Sequence, residues 1–331
     1  MADIHDPQTT DTAALDAAEG LDVETKRPFR LALGRFWRNR GAAISTVIFL
    51  TVVLAVIFTN FTARYGIDEQ VIELNPAAGV TKNQYVEHIH IDWIGTDNIG
   101  RDLYIRLLYG TRSSLLIGVA AGLLSVAIGT IVGLISGIRG GKLDDIMMRV
   151  TDIYLAFPFL VAIIVIRQFL GEVGWITAII GDKSSFRFTI FLITLFGWMG
   201  VARLVRGSVL SLKEREFVEA ARAVGASNTR IAFTHLLPNS IGPILVAFTI
   251  SVVGGLVVES TLSFFGLGPQ PGSGNTSLGK LIELSAEGAK AGYWWIVAYP
   301  CGMLVLLAVC INFIGDGLRD AFDPKLDKGK A

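Results

Sequence analysis

Long stretches without a charged side chain constrain the fold of this chain more than any other feature of its sequence. Residues 41–63 contain no Asp, Glu, Lys or Arg. At a helical rise of about 1.5 Å per residue, such a stretch is long enough to cross a hydrocarbon layer of about 30 Å. The sequence predicts five further spans of this kind, at 113–138, roughly 150–170, 188–205, 237–259 and 291–315.

The overall composition favours the same class of protein. Hydrophobic residues make up 52% of the chain and charged residues 18%, which is too apolar for a soluble domain of 331 residues. Arg167 and Arg203 leave the third and fourth predicted spans with the shortest uncharged cores. The formal net charge of zero gives no indication of a nucleic-acid partner. We therefore predict an all-α membrane protein with six transmembrane helices in a lipid bilayer.

The basic residues predict how these helices are oriented. If the N-terminus is cytoplasmic, 19 of the 29 Lys and Arg residues lie on the cytoplasmic side and the other ten lie outside. Cytoplasmic loops of membrane proteins carry the excess of basic residues, so this count predicts cytoplasmic N- and C-termini (N-in, C-in). In this topology the polar segment 211–240, between the fourth and fifth predicted spans, lies in the cytoplasm.

The segments around the core are assigned from their composition. The first 24 residues carry seven acidic residues and no basic one, which predicts a disordered acidic tail over 1–27 rather than a signal peptide. Residues 28–40 predict an interfacial helix on the inner leaflet, with a plain basic flank of the next span as the alternative. Its apolar face consists of Phe29, Leu33, Phe36 and Trp37. The domains that follow are 28–63 (interfacial helix and first span), 64–112 (external segment), 113–315 (transmembrane core) and 316–331 (cytoplasmic tail).

Glycine and proline mark positions inside the predicted spans. The second span carries glycines at four-residue spacing, which predicts the close approach of another helix backbone. Packing within the chain's own bundle is the main interpretation, and a subunit interface is the alternative. Pro158, Pro243 and Pro300, with Gly254 and Gly255, are predicted to kink the spans where a pathway bends, unless they mark simple packing irregularities. The spaced glycines are Gly118, Gly122, Gly129, Gly133 and Gly137.

Segment 211–240, which we call the knob, is predicted to form two short helices. The first has an apolar stripe opposite a charged face. Gly225 is predicted to end it in the left-handed conformation, which costs glycine no Cβ penalty. Ser227 is predicted to cap the second helix and Pro238 to end it. The predicted stripe consists of Phe217, Ala220, Ala221 and Val224, and the charged face of Arg215, Glu219 and Arg222.

The knob resembles the cytoplasmic EAA loop of bacterial ABC importer permeases. In that family the loop is a coupling helix that docks in a groove on the ATP-hydrolysing subunit; an ordinary amphipathic surface helix is the alternative. The positions that match the family pattern are Glu219, Ala220, Ala221, Gly225, Ile231, Leu237 and Pro238. The resemblance implies ATPase-coupling roles for Phe217, Glu219, Ala220, Ala221, Arg222, Gly225 and Ala226.

A second motif, IGTDNIGRD, precedes the second predicted span at residues 94–102. Its residues predict a turn over 96–100, in which Asp97 accepts from backbone amides and Gly100 adopts an unusual φ. The motif resembles the LGTDxxGRD signature of the dipeptide, oligopeptide and nickel branch of these permeases. The matching positions are Gly95, Thr96, Asp97, Gly100, Arg101 and Asp102. Two further stretches resemble motifs of the same branch, 262–268 and 312–325, the latter with Gly315 and Asp316.

The family resemblance extends from about residue 30 to residue 325 and implies a type I ABC importer permease fold of the C-type subunit. In the family, the partners are a second homologous permease, two ATP-binding subunits and an extracytoplasmic substrate-binding protein. ATP and Mg²⁺ are then bound by partner subunits, and no cofactor or catalytic residue is expected in this chain. The expected function is import of dipeptides, oligopeptides or a similar small solute across a bacterial inner (plasma) membrane, with nickel complexes as the alternative cargo.

Two other functional classes are kept as alternatives, an ion-coupled secondary transporter and a membrane-embedded enzyme. Ion-coupled carriers need ionisable groups inside the bilayer, whereas Asp152 and Glu259 are expected at the ends of predicted spans. No convergent nucleophile or zinc motif supports an enzyme. Residues 274–281 resemble a phosphate-binding loop, but they lack the hydroxyl residue that would hold Mg²⁺, and a nucleotide site is rejected. A metal site is a minor hypothesis at His88, His90 and Asp92.

Overall fold

The computed structural model of the protein describes residues 28–63, 66–70, 94–97, 99–269 and 276–322. Across these ranges the chain is helical, and its only extended pairing consists of two isolated bridges near the 94–102 motif. The helices are α1 (Pro28–Arg38), α2 (Arg40–Ile57), α3 (Thr59–Thr62), α4 (Leu103–Arg139), α5 (Gly141–Ala156), α6 (Phe159–Leu170), α7 (Gly174–Ile180), α8 (Phe186–Lys213), α9 (Glu216–Ala223), α10 (Asn228–Ile231), a π-helical turn (Ala232–Leu236), α11 (Leu237–Asn239), α12 (Ile241–Phe264), α13 (Leu278–Lys290) and α14 (Trp295–Phe322). The predicted acidic tail and the possible metal ligands His88, His90 and Asp92 lie outside the described residues.

Five of these helices, α2, α4, α8, α12 and α14, are long and apolar enough to cross a membrane. Helices α5 and α6 pass the same test as a pair, with a bend of 95° between them. The break falls before Pro158, because proline disfavours helical conformation in the residue that precedes it, and Phe157 is extended. The predicted kink at Pro158 is therefore confirmed, and it is a complete break in the helix.

The packing of α4 against α8 shows that the pair α5–α6 is the sixth crossing. Three glycines of α4 meet three valines of α8 in ascending order along both helices, so the two helices run parallel. The chain must therefore return to the opposite end of the bundle between them, and α5 and α6 are the helices that can do so. The predicted six crossings follow from this order. The facing pairs are Gly129–Val201, Gly133–Val205 and Gly137–Val209.

Glycine is required at these contacts because the helix backbones nearly touch. A Cβ added to Gly133 would lie 2.6 Å from the carbonyl oxygen of Ala202, closer than real Cβ contacts. Earlier in α4, a Cβ at Gly122 would lie 3.0 Å from the backbone nitrogen of Val252 in α12. The spaced glycines therefore pack within the chain's own bundle, as the main interpretation predicted.

The N-terminal helix, the knob and the end of α14 lie at the same end of the bundle. Phe36 of α1 shares a buried cluster with Ala321 of α14. The next residue, Phe322, contacts Gly242 at the start of α12, directly after the knob. Both described chain ends therefore lie with the knob, as the predicted topology requires. We call this the inner end of the bundle and the opposite one the outer end.

Helix α1 forms as predicted, but its apolar side chains divide between two faces. Ala32 and Phe36 are buried against the bundle, whereas Leu33 and Trp37 are about half exposed. One side of α1 thus rests on the end of α14, and the other side is open. Its position at the membrane interface remains a prediction.

The helices extend beyond the predicted spans, because hydropathy marks the apolar core of a helix and not its ends. Helix α4 begins ten residues before the predicted second span, α5 begins at Gly141 rather than near 150, and α8 continues to Lys213. Helices α12 and α14 both begin four residues later than predicted, and α13 was not predicted. Asp152 lies inside α5, and Glu259 lies inside α12 and is fully buried. Both residues therefore lie within helices and not at helix ends.

Candidate functional site

The first helix of the knob, α9, ends in a defined cap. The amide of Ala226 donates to the carbonyl of Ala221 at 3.0 Å, and the amide of Gly225 donates to Arg222 at 2.9 Å, which is a Schellman motif. Gly225 has φ of +82°, in the left-handed region. An added Cβ there would meet no atom within 4 Å, so the backbone conformation and not space requires glycine. The predicted glycine cap is confirmed.

Helix α9 buries only part of the predicted apolar stripe. Val218 and Ala221 are buried and pack in one cluster with the inner end of α8. Phe217 and Val224 of the predicted stripe are 39% and 85% exposed, and Ala220 is exposed as well. The sequence pattern does not say which side of this short helix packs on the bundle, because Val218 makes a second side apolar. Helix α9 is therefore held by one apolar face and presents a second to its surroundings.

Two charged side chains of α9 are also exposed, on the charged face opposite this apolar stripe. Glu219 and Arg222 are both exposed, and neither forms an ion pair with any described residue. The ring of Phe217 lies 6.3 Å from that of His235 in the π-helical turn. Ala226 is partly buried against the hydrophobic cluster in which α9 packs on α8. The surface thus combines apolar contact area with charges of both signs.

The second half of the knob is capped as predicted but does not end as predicted. The Ser227 hydroxyl accepts from the amide of Arg230 at 3.3 Å and begins α10. Pro238 was expected to end the helix, yet it lies within α11. The chain widens into a π-helical turn just before it, where the amide of Leu237 donates to Ala232, five residues back. We attribute the continuation to this shift in register, which removes the need for an N–H at Pro238.

The motif at 94–102 forms the predicted turn at the outer end. The Asp97 carboxylate accepts from the amides of Ile99 and Arg101, both at 3.0 Å, and from Arg101 Nε at 2.8 Å. Gly100 has φ of +81°, and Thr96 is buried. The amide of Leu103 donates to the carbonyl of Gly95 at 3.0 Å and closes the turn.

Two residues connect this turn to α4. Asp102 caps the helix by accepting from the amides of Tyr104 and Ile105 at 2.7 and 3.4 Å. Arg106, one turn into α4, is buried with its Nε 3.4 Å from Asp97 Oδ2. Sequence reasoning missed Arg106, although its spacing of four residues from Asp102 places it at the start of the same helix.

The branch motifs near the C-terminal ends of α12 and α14 have packing roles. Helix α12 ends in a second Schellman motif, in which the amide of Leu267 donates to the carbonyl of Leu262 at 2.7 Å. Arg167 is buried and donates to the carbonyl of Gly268 at 3.4 Å, which fixes the outer end of α6 to this turn. A Cβ on Gly315 would lie 2.2 Å from Thr249 Oγ1, so α14 crosses α12 there. Asp316 is exposed at the inner end.

A cavity of about 400 Å³ opens between α4, α6, α8 and α12. Among the residues that line it, Ser125 and Ser251 are polar, the others are apolar or glycine, and none is charged. Gly200 and Gly254 face open space there, since a Cβ on either would meet no atom within 4 Å. Sequence analysis did not predict a cavity, although it singled out Gly254 and Gly255, which line it, as positions where a pathway could bend.

Ion pairs connect α5 to the inner half of α8. Arg206 binds Asp144 in a bidentate manner, with Nε and Nη2 each 2.6 Å from a carboxylate oxygen. The hydroxyl of Ser136 in α4 also donates to Asp144. Asp144 is buried, whereas a second pair, Arg203 with Asp152, is exposed. Helices α4, α5 and α8 therefore meet at one buried carboxylate close to the knob.

Two protein families match long parts of the chain. Residues 129–328 match the family described as binding-protein-dependent transport system inner membrane component. Residues 27–79 match the N-terminal TM domain of oligopeptide transport permease C. The first match includes the knob, the end of α14 and every cavity-lining residue except Ser125, and the second includes α1 and α2.

Relatives match nearly the whole chain. The oligopeptide transport system permease protein OppC of Bacillus subtilis (strain 168) is 37% identical over 314 residues, which cover 94% of both chains. OppC of Escherichia coli (strain K12) is 36% identical over 308 residues, covering 93% of this chain and 95% of the relative. The dipeptide transport system permease protein DppC of Bacillus subtilis is 39% identical over 234 residues, covering 71% and 69%.

A solved structure shares the fold. A chain of the MetNI methionine ABC transporter, captured in inward-facing conformations, superposes with a TM-score of 0.56. The superposition covers 67% of this chain and 98% of that chain, at 21% sequence identity. This likeness shows a common arrangement of helices.

Proposed function

Because the chain belongs to the family of binding-protein-dependent transport system inner membrane components, as its motifs predicted, we propose that it is a permease subunit of an ATP-driven importer of dipeptides or oligopeptides. The cargo is inferred from the names of relatives that match more than nine tenths of the chain. One observation carries the ATP-driven part of the proposal. The knob is capped and seated on α8, yet it leaves an apolar face and two charges open to a partner.

The proposed partners follow from the family. A second, homologous permease completes the pathway, which in this chain is an open-sided cavity. Two ATP-binding subunits hold ATP and Mg²⁺, and one of them receives the exposed face of α9. An extracytoplasmic binding protein delivers the peptide to the outer end. In this arrangement the chain binds no cofactor and carries out no chemical step.

Movement of the knob reaches the cavity through α8. The buried face of α9 packs on the inner end of α8, and α8 is fixed to α4 by the glycine contacts and to α5 by Arg206. Farther along α8, Gly197, Gly200 and Leu204 line the cavity. Rigid-body rotation of these helices, driven by closure of the ATPase subunits, therefore changes the shape of the cavity wall.

Removal of the Asp144 carboxylate tests the connection between the knob and the cavity through α8. Asp144→Ala leaves the guanidinium of Arg206 without its partner, and we expect a loss of about 2 kcal/mol, less than for a fully buried pair because Arg206 is about one-third exposed. The thermal midpoint of the purified complex should fall by about 5 °C, and ATP-coupled uptake should fall with it. The matched control is Asp152→Ala, which removes an exposed pair on the same helix and should cost about 1 kcal/mol or less. Equal effects of the two substitutions would contradict the proposed connection.

Reconstitution tests the function directly. The complex is purified from its own membrane through a tag on this chain, placed in liposomes and supplied with the binding protein and labelled peptide. We expect uptake that requires ATP and persists when ionophores collapse the proton and sodium gradients. Uptake that follows an imposed ion gradient without ATP would instead support an ion-coupled carrier. Uptake of nickel complexes but not of peptides would show that the cargo is a nickel complex.

A further inference from the structure

A buried carboxylate joins three helices at the outer end of the bundle. Glu259 of α12 is fully buried, and each of its carboxylate oxygens accepts a hydrogen bond from a serine hydroxyl. Ser114 of α4 donates to Oε2 at 2.7 Å, and Ser263 of α12 donates to Oε1 at 2.7 Å. No basic side chain forms an ion pair with Glu259 in the part of the chain that the structure describes. A buried carboxylate is costly without compensation, so these hydroxyls must stabilise it.

The first turn of α13 orients both hydroxyls. The amide of Leu278 donates to Ser114 Oγ at 3.1 Å, so the hydrogen of that hydroxyl points to the carboxylate. The amide of Lys280 donates to Ser277 Oγ at 3.2 Å, and Ser277 in turn donates to Ser263 Oγ at 3.2 Å. The first amides of a helix lack partners within the helix and carry its positive dipole end. Two serine relays thus direct the positive end of α13 toward one carboxylate.

The start of α13 also fits its position sterically. A Cβ on Gly279 would lie 2.5 Å from the Cα of Ser260 in α12, and a Cβ on Gly110 of α4 would lie 3.2 Å from the carbonyl carbon of Ser277. A side chain at Gly279 would force the backbones of α12 and α13 apart, and one at Gly110 would make a tight contact with the start of α13. The polar relays and the close contacts therefore fix α13 in a single position.

Helix α13 connects the outer motif to the cavity wall. Ser285 of α13 donates to the carbonyl of Ile296 at the start of α14 at 2.7 Å. The same part of α13 faces Asp97 and Arg106 of the motif turn across a narrow gap. At the other end of the connection, Val258, which precedes Glu259, lines the cavity. A change in the position of α13 would therefore shift the residues of the outer motif turn and the cavity wall beside Val258.

We propose that Glu259 is a positioning residue of the import cycle, which holds α13 in place at the outer end of the bundle, where the binding protein delivers its cargo. The proposal rests on the importer function proposed above. Glu259 does not touch substrate; it acts through Ser114, Ser263 and the first turn of α13. Loss of either relay should loosen α13 and weaken the response to the binding protein, while the knob and its ATPase contact stay intact.

Hydrogen–deuterium exchange of the purified complex tests the anchoring. Because Glu259→Ala leaves several buried hydroxyls without an acceptor and risks misfolding, Ser114→Ala and Ser263→Ala serve as milder variants. Each should raise the exchange rate of the first-turn amides of α13 about tenfold. The matched control is Ser260→Ala, since the Ser260 hydroxyl lies 3.5 Å from the same carboxylate and takes no part in the relay, so exchange should stay at the wild-type rate. Unchanged exchange in both relay variants would overturn the proposal.

A second measurement separates positioning from a purely structural role. ATPase activity is titrated with the binding protein, and the relay variants should need several-fold more binding protein for half-maximal stimulation, with unchanged basal activity. Faster exchange with an unchanged titration would reduce Glu259 to a structural residue and overturn the positioning claim. If the wild-type complex shows no stimulation at all, the importer function fails, whereas the exchange experiment still decides whether Glu259 holds α13.

Discussion

Gly225→Val is expected to reduce ATP-coupled uptake at least about tenfold while the protein still inserts and assembles. Gly225 has φ of +82°, a conformation that costs a residue with a Cβ about 1–2 kcal/mol and a β-branched residue more. Nothing lies within 4 Å of an added Cβ, so the substitution strains the cap without clashing with the bundle. The strain is relieved if the Schellman motif opens. Opening the motif reorients α9, so its exposed face no longer fits the ATP-binding subunit.

The control for this prediction is Gly225→Asn at the same position. Asparagine adds a side chain of similar size but enters the left-handed region readily, so its uptake should stay within about twofold of the wild type. Uptake and ATPase activity are measured together in liposomes, and we expect Gly225→Val to lower the number of peptides imported per ATP. Normal import by Gly225→Val, or equal losses in both variants, would show that the cap conformation does not matter for coupling.

Gly254→Trp is expected to block import by filling the cavity. Gly254 lines the cavity of about 400 Å³, and a Cβ there would meet no atom within 4 Å, so the indole has room to enter without disturbing the helix contacts. Uptake should fall at least about tenfold, and stability should change by only about 0.5 kcal/mol. The knob is unaffected, so basal ATPase activity should persist.

The matched control is Gly302→Trp. Gly302 in α14 also has no atom within 4 Å of an added Cβ, but it does not line the cavity. Its uptake should remain close to that of the wild type, and its thermal midpoint should match that of Gly254→Trp. If Gly254→Trp imports peptide at the normal rate, the cavity between α4, α6, α8 and α12 is not the pathway.

Features that depend on neighbouring residues could be predicted from the sequence. The left-handed cap at Gly225, the helix cap at Ser227 and the turn at Asp97 each need only partners within about five positions. The glycines of α4 were predicted as contact sites for a similar reason, since their spacing alone places them on one side of a helix. These local features all appear in the structure.

Features that depend on distant parts of the chain could not be predicted. The Asp144–Arg206 pair joins positions 62 residues apart, and the bond from Ser114 to Glu259 joins positions 145 apart. The packed side of α9 was also missed, because a helix of eight residues with apolar side chains on two sides is oriented by its neighbours and not by its own pattern. The cavity was missed because it is formed by four helices at once.

Helix ends lie between these two cases. The sequence predicted apolar cores, but α4 starts ten residues earlier than its predicted span. Asp102 caps the helix there, and the charges of Arg106 and Arg112 keep these first turns out of a span assigned from hydropathy. Pro238 shows the opposite error, since a residue that normally ends a helix lies within α11 after a π-helical turn. Both errors arise because a helix continues while its backbone amides and carbonyls find partners, whatever its hydropathy.

Site-specific photo-crosslinking tests the central claim most directly, namely that the exposed face of the knob contacts a separate ATPase subunit. A photoreactive phenylalanine analogue is placed at Val224, and at Phe61 as a control, because both side chains are 85% exposed but lie at opposite ends of the bundle. In transport-competent membranes, we expect a covalent adduct with an ATP-binding subunit from position 224 and none from position 61. The absence of that adduct from both Val224 and Phe217 in an active complex would contradict the account.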